Sequence, residues 1–230
     1  MLRRAKAVRR LWLIIGLVGA LALFGGGMAL AMRQTIVAQD NGFPASPFNT
    51  DQGAVVPFQN SGFSQHNVTA DATGPDGKPL FHSPTTNGGA SSSVAGTQYL
   101  PAGDYSFFCT IHGHAMSGVL RVTGAGTAQA RPNATLTLVS KKISKVAKKG
   151  KLLVGVNVTA PVDGASLVAS LGKATLGRAN SLSLKAGQQT VAIGLGKAAK
   201  NKLAKKSKAT VTLTADIPFG SPASGKGKLK

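Results

Sequence analysis

Between Gln34 and Gly124 no segment sustains the 3.6-residue apolar period of a helix; short apolar or alternating runs are broken by Gly, Pro, Asn and Asp. That feature confines the region to an all-β fold. The runs predict strands over Thr35 to Gln39, Ala54 to Asn60, His66 to Ala70, Ala90 to Val94, Gly103 to Cys109 and Gly118 to Thr123. The stretch Asp71 to Gly89, rich in Gly, Pro, Asn and Thr, predicts a long loop. Pro57 lacks a ladder donor and is expected at an edge or a bulge. Beyond Pro132, alternation predicts strands over Thr135 to Val139, Leu152 to Thr159, Ala165 to Leu171, Ser181 to Leu184, Gln189 to Leu195 and Ala209 to Ala215. Turn signals separate them by about 8–12 residues, the spacing of a β-sandwich.

Charge divides the same chain. Residues 1–34 carry six Lys/Arg and no acid, residues 35–124 two against five Asp, and residues 125–230 nineteen against two. The net +20 therefore joins a mildly acidic middle to a very basic end. With 230 residues there is room for two domains of about a hundred each. One cysteine excludes an intramolecular disulfide, so each folded part must rely on its own apolar core. The expected organisation is an export segment over 1–33, a first β domain over 34–124, a Gly/Ala-rich linker over 125–132, a basic β-sandwich over 133–217 and a disordered basic tail over 218–230.

Arg3, Arg4, Lys6, Arg9 and Arg10 precede an uncharged run from Leu11 to Met32. Positive charge ahead of such a run holds the N-terminus inside, which places everything after Arg33 extracytoplasmically. The run is long enough for a transmembrane helix, about 20 apolar residues sufficing. It also divides into an apolar core Leu11 to Phe24, a Gly25-Gly26-Gly27 break and an Ala29-Leu30-Ala31 cleavage site, the layout of a signal peptide. Anchoring by residues 11–32 and secretion after cleavage near Ala31 both remain open at this point.

The chemistry concentrates in Asp104 to Val122, which holds the only cysteine, two of the four histidines and Met116. A soft thiolate, an imidazole and a thioether in one short loop suit copper better than a hard cation, and a second histidine from elsewhere would complete His₂Cys with a weak axial Met. His66, in Ser64-Gln-His-Asn-Val-Thr69, is the natural candidate. His112 and His114 compete for the remaining imidazole position. His112 leaves three residues before Met116, whereas His114 leaves one, too short a loop to swing the thioether round. His82, in Phe81-His-Ser-Pro84, has no partner at metal spacing and reads as a surface residue.

The His-Asn-Val segment, followed some forty residues later by Phe-x-Cys-x-x-His-x-x-x-Met-x-Gly, resembles the cupredoxins, the small blue copper proteins. Gly53-Ala-Val-Val-Pro-Phe-Gln-Asn60 and Leu100-Pro-Ala-Gly-Asp-Tyr105 add to the likeness, which covers Gln34 to Gly124. It implies a cupredoxin Greek-key β-sandwich with one type-1 copper site held by His66, Cys109, His112 and Met116, with His114 the alternative to His112. It further implies that Asn67 braces the cysteine loop. Proteins of this kind pass single electrons to redox protein partners and are not enzymes. The basic half is similar to the lysine-rich immunoglobulin-like modules of exported bacterial surface proteins, on Lys145-Val-Ala-Lys-Lys-Gly-Lys151, its echo Lys202-Leu-Ala-Lys-Lys-Ser-Lys208, and Leu184-Lys-Ala-Gly-Gln-Gln-Thr-Val191.

Other chemistries find little support. A copper oxidase would need a second histidine cluster, and only His82 and His114 are spare. No Ser/His/Asp set, phosphate loop or paired carboxylates point to a small-molecule substrate. The lysines attract phosphate, yet Phe219 is the only aromatic residue of the basic half and gives no stacking platform for nucleic acid. A membrane or anionic cell envelope is the partner those lysines suit. The expectation is an extracytoplasmic single-electron carrier; the alternatives are a surface or adhesion protein of the same fold without redox-active copper, and a copper store.

Overall fold

The computed structural model describes residues 32–230. The expected N-terminal helix and cleavage site lie outside the described residues. Among those described, no helix is long and apolar enough to cross a membrane.

The first module contains β1 (Ile36–Ala38), β2 (Phe48–Gln52), β3 (Val56–Asn60), β4 (Thr69–Ala70), β5 (Ser91–Val94), β6 (Gly103–Cys109) and β7 (Gly113–Gly126). They form two sheets, ordered β1-β3-β5 and β2-β7-β6-β4. Period-2 alternation turns Ile36, Val56, Phe58 and Val94 of one sheet and Phe48, Phe107, Cys109 and Leu120 of the other into a common core. Phe107 is its centre, with ring centroids 4.8 Å from Phe43, 6.3 Å from Phe48 and 6.4 Å from Phe81. Gly118 faces this ring across the ladder, where a Cβ would come within 2.6 Å of it.

Pro57 sits in β3, the central strand of its sheet rather than an edge. Its position is nonetheless tolerated for an edge-like reason. Asn60 donates its N–H to Ala90 on the β5 side, so N–H direction alternates and residue 57 faces β1, where pairing begins only at Ile36 with Phe58. The missing donor falls just outside that ladder. The strand expected over His66 to Ala70 shortens to Thr69–Ala70, because His66 pairs only with Thr86, through reciprocal backbone bonds of 3.1 and 2.8 Å.

The second module contains β8 (Ala134–Leu138), α1 (Ile143–Lys149), β9 (Lys151–Val158), β10 (Val162–Leu171), β11 (Ala174–Leu184), β12 (Gly187–Gly194), α2 (Lys197–Ala204), β13 (Ala209–Asp216) and β14 (Ala223–Leu229). Its sheets, ordered β12-β9-β8 and β11-β10-β13-β14, enclose an aliphatic core. The first lysine-rich echo lies mostly in α1, whereas the second begins in the last turn of α2 and leaves it at Lys205. Each helix places two apolar side chains one turn apart, Ile143 with Val146 and Ala199 with Leu203, and buries that pair. Gly150, at φ 62°, closes α1 by donating its N–H to Val146.

The tail expected to be disordered over 218–230 is instead built into the fold as β14. It pairs with β13 from Ala209–Leu229 to Ala215–Ala223. Its glycines signal close approach rather than flexibility: a Cβ on Gly225 would stand 2.5 Å from the Leu136 carbonyl oxygen, and one on Gly227 would overlap Leu138. Leu229 closes the strand fully buried.

The segment between the modules is fastened to the first. Gln129 donates its N–H to Gln98, and Arg131 lies 5.7 Å over the Tyr99 ring. Phe219, at φ 62°, stacks on His82 at 5.6 Å and approaches Tyr99 at 5.9 Å. Its N–H bonds to Asp76 at 2.8 Å and its carbonyl accepts from Arg131 at 3.1 Å, while Lys78 pairs with Asp216 at 2.7 Å.

Candidate metal centre

Strand β6 ends at Cys109 and β7 returns from Gly113, the turn being closed by the His112 N–H on the Cys109 carbonyl. Gly113 takes φ 62°, a conformation that a side chain would resist. Up to Phe108–Ser117 the pairing is regular; the next step would set Met116 opposite Cys109. The register instead jumps to Cys109–Gly113, so residues 114–116 bulge from the ladder beside the thiol. Met116 is buried in the same core cluster as Cys109.

His66 arrives from the opposite side, fully buried, with its Nδ1 3.9 Å from Cys109 Sγ. His112 turns its own Nδ1 to the same sulfur at 3.6 Å, and the two rings lie 4.8 Å apart. All three donor atoms fall within 4.8 Å of one another. A sulfur at about 2.3 Å and a nitrogen at about 2.0 Å from a shared ion stand roughly 3.5–3.8 Å apart at trigonal to tetrahedral angles. The two sulfur–nitrogen separations match within a few tenths of an ångström, so the thiol and each imidazole can share a small, soft metal ion.

The electrostatics agree with that fit. Burial, and after it the neighbouring His112, holds His66 below the ordinary imidazole value, with Asp40 pulling the other way. A neutral imidazole is the form a metal ligand requires. With Nδ1 aimed at the sulfur, Nε2 is buried without a hydrogen-bond partner. The nearest acceptor is Asp40 Oδ1 at 4.0 Å. The N–H groups of Ser64 and Phe63 bond to that carboxylate and keep it below its usual range.

Asn67 ties the two halves of the site together. Its Oδ1 accepts the Thr110 N–H at 2.8 Å, and its Nδ2 donates to the Thr110 hydroxyl at 2.7 Å. The residue beside one histidine thus holds the residue beside the cysteine. Asn60, also buried, donates to the carbonyls of Ser64 and Thr86 at 2.7 and 2.9 Å and shapes the approach to His66.

Of the two competing histidines, the structure brings His112 to the sulfur. His114 stacks on Phe108 at 4.2 Å and bonds through Nε2 to Asp71 at 2.8 Å, well exposed. His82 is exposed and belongs to the joint with the second module. Sequence reasoning missed Asp40, Asn60 and Thr110. Thr110 was legible as the residue after Cys109, whereas nothing local marks Asp40, 26 positions before His66.

No protein-family model matches the chain. No curated protein matches it either. Among solved structures it is similar to amicyanin: the Cu(I) form of one methionine-to-alanine mutant matches at 23% identity over 38% of this chain and 81% of that one, TM-score 0.32. A purple cupredoxin from Nitrosopumilus maritimus matches at 24% identity over 33% of this chain and 75% of that one, TM-score 0.26.

Proposed function

We propose that the first module is an extracytoplasmic type-1 copper domain that carries single electrons. His66, Cys109 and His112 would hold the ion, with Met116, buried beside Cys109, as a further weak donor. When bound, copper supplies a one-electron couple. The observation that carries the reading is the convergence of one thiol sulfur and two imidazole Nδ1 atoms from segments 43 residues apart.

This chain's residues add the rest. The two sheets fix β6 while Asn67 clamps the turn after it, so the donors resist movement when the charge of a bound ion changes. The buried His66 excludes water from one side of the site. His112 is exposed and is preceded by Ile111, 49% exposed, which offers an apolar landing point for a redox partner beside a ligand ring. The second module, read as immunoglobulin-like, would serve as a spacer and as a contact to an anionic envelope surface. Its first, second and fifth strands form one sheet and the remaining four the other. That differs from the constant-type immunoglobulin arrangement only in the side to which the fourth strand belongs.

The test is addition of Cu(II) to the purified chain. An intense thiolate-to-copper absorption, lost in Cys109→Ser and accompanied by reversible voltammetry, is the expected result. A colourless product in the wild-type chain defeats the reading, and colour without a reversible couple points to copper storage.

A further inference from the structure

We infer that the helical end of the second module is a binding site for a linear phosphodiester polymer, centred on a groove between α1 and the start of β9. The inference deepens the reading of this module as an envelope contact and is independent of the copper site.

Strand register defines the two ends of the sandwich. Leu138 pairs with Val154 near one end and Ala134 with Val158 at the other; Ala209 pairs with Leu229 at the first end and Ala215 with Ala223 at the second. Helix α1 joins β8 to β9 at the first end, and α2 leads into β13 there. Eight residues of strand put this end about 25 Å from the joint.

Charge follows the same axis. Both acids of the module, Asp163 and Asp216, stand at the joint, where Asp216 is already paired with Lys78. At the helical end, Lys141 to Lys151 holds six lysines and Lys197 to Lys208 six more, with no acid in either segment. None of these lysines takes part in a salt bridge among the described residues.

The helices carry this charge against their own interest. Lys142 is the N-cap of α1 and makes no capping bond; α2 begins at Lys197 behind an uncapped Gly196; neither first turn contains an acid. A cation at a helix N-terminus opposes the macrodipole, and Lys or Gly supplies no side-chain acceptor for the free N–H groups. Only the lysines of the last turns, such as Lys148 and Lys149, suit the helix. A local rule broken twice at one end of a fold is what a surface kept for function rather than for stability would show.

The groove, about 570 Å³, has walls of Lys142, Lys145, Lys149 and Lys151 and an aliphatic floor of Val146 and Leu153. Anionic groups spaced along a flexible polyol or sugar chain match lysines standing round an aliphatic floor. A bilayer fits less well: the helices are seven and eight residues long, carry no aromatic side chain and present a concave surface. Nucleic acid lacks a ring to stack on, Phe219 being held at the joint.

The experiment titrates fluorescent poly(glycerol phosphate) with the full chain in neutral detergent micelles, read by anisotropy over a range of salt. Two variants remove equal charge: Lys142→Gln with Lys145→Gln and Lys149→Gln in the groove, and Lys173→Gln with Arg178→Gln and Lys185→Gln outside it. Circular dichroism checks that both fold. The groove variant is expected to lose affinity by about tenfold or more and to flatten the salt dependence by about two counterions, the other variant keeping both. Equal losses in the two variants overturn the groove but leave a diffuse envelope contact. No binding to the polymer or to phosphatidylglycerol-doped micelles overturns both readings. Binding to those micelles but not to the polymer replaces the polymer by a lipid surface.

Discussion

The core of the first module is built on Phe43, Phe48, Phe58, Phe81 and Phe107, whereas that of the second is made of aliphatic side chains such as Leu152, Val154, Leu167 and Leu213. Large, stiff rings fill a small sandwich whose strands are mostly short, and they set Cys109, two residues beyond Phe107 on the same face, on a firm floor. Aliphatic residues on long regular strands build a sandwich with no donor to position; what that module presents is the charge at its end. The difference teaches that converging donor atoms need order in the interior beneath them, while charge on a surface needs only a stable frame.

Removing the aromatic centre should break the comparison most severely. Phe107→Ala is expected to destabilise the first module by about 3–5 kcal/mol, seen as an early urea transition in Phe-sensitive near-UV signals with the second module's transition unmoved. A joint shift of both transitions would show that the two cores are not energetically separate. The brace comes next: Asn67→Ala should weaken copper binding by about 10–100-fold in a chelator competition while the urea midpoint of the apo chain moves little. An unchanged affinity would mean that the turn holds itself.

On the aliphatic side, Gly227→Ala should cost about 1–3 kcal/mol, because the new methyl overlaps Leu138 and lifts β14 from β8. Rapid amide exchange across Ala223–Leu229 in the variant checks it; retained protection would show that Leu138 gives way freely. The smallest effect is at the exposed pair Asp104 and Arg121, joined by two bonds of 2.9 Å. The bond to Arg121 holds the Asp104 carboxyl below its ordinary value of 3.8. The folded state therefore binds this proton less readily than the unfolded chain. The contribution is fully present above about pH 4 and fades as pH falls through the folded value. Wild type and Asp104→Asn should differ slightly at neutral pH and converge in acid, and a gap that widens in acid would contradict the sign.

Much of the first module was legible because its signals are local. Alternation located β6 to the residue, and the loop after it advertised soft donors. The misreadings share one cause, composition taken for conformation. Lysine-rich stretches read as charge alone, yet apolar pairs at helical spacing bury Ile143, Val146, Ala199 and Leu203. Gly225 and Gly227 looked like tail, yet their missing side chains let β14 lie against Leu136 and Leu138. Strand β2 escaped notice because Phe48-Asn-Thr-Asp-Gln52 is mostly polar and gains its place by parallel pairing with β7.

By itself the amino-acid order determined the all-β class, the split into an acidic and a basic part, and the kinds of donor atom within the chain, since periodicity, charge and ligand softness reside in neighbouring residues. Tertiary structure alone decided that Asp40 stands behind His66 and that two lysine repeats share one end of a sandwich. Those outcomes depend on the Phe63 and Ser64 N–H groups that hold Asp40 and on strand register. Each brings together groups that no local pattern links, because contact across a sheet is set by how strands align and not by what lies beside each residue in the chain.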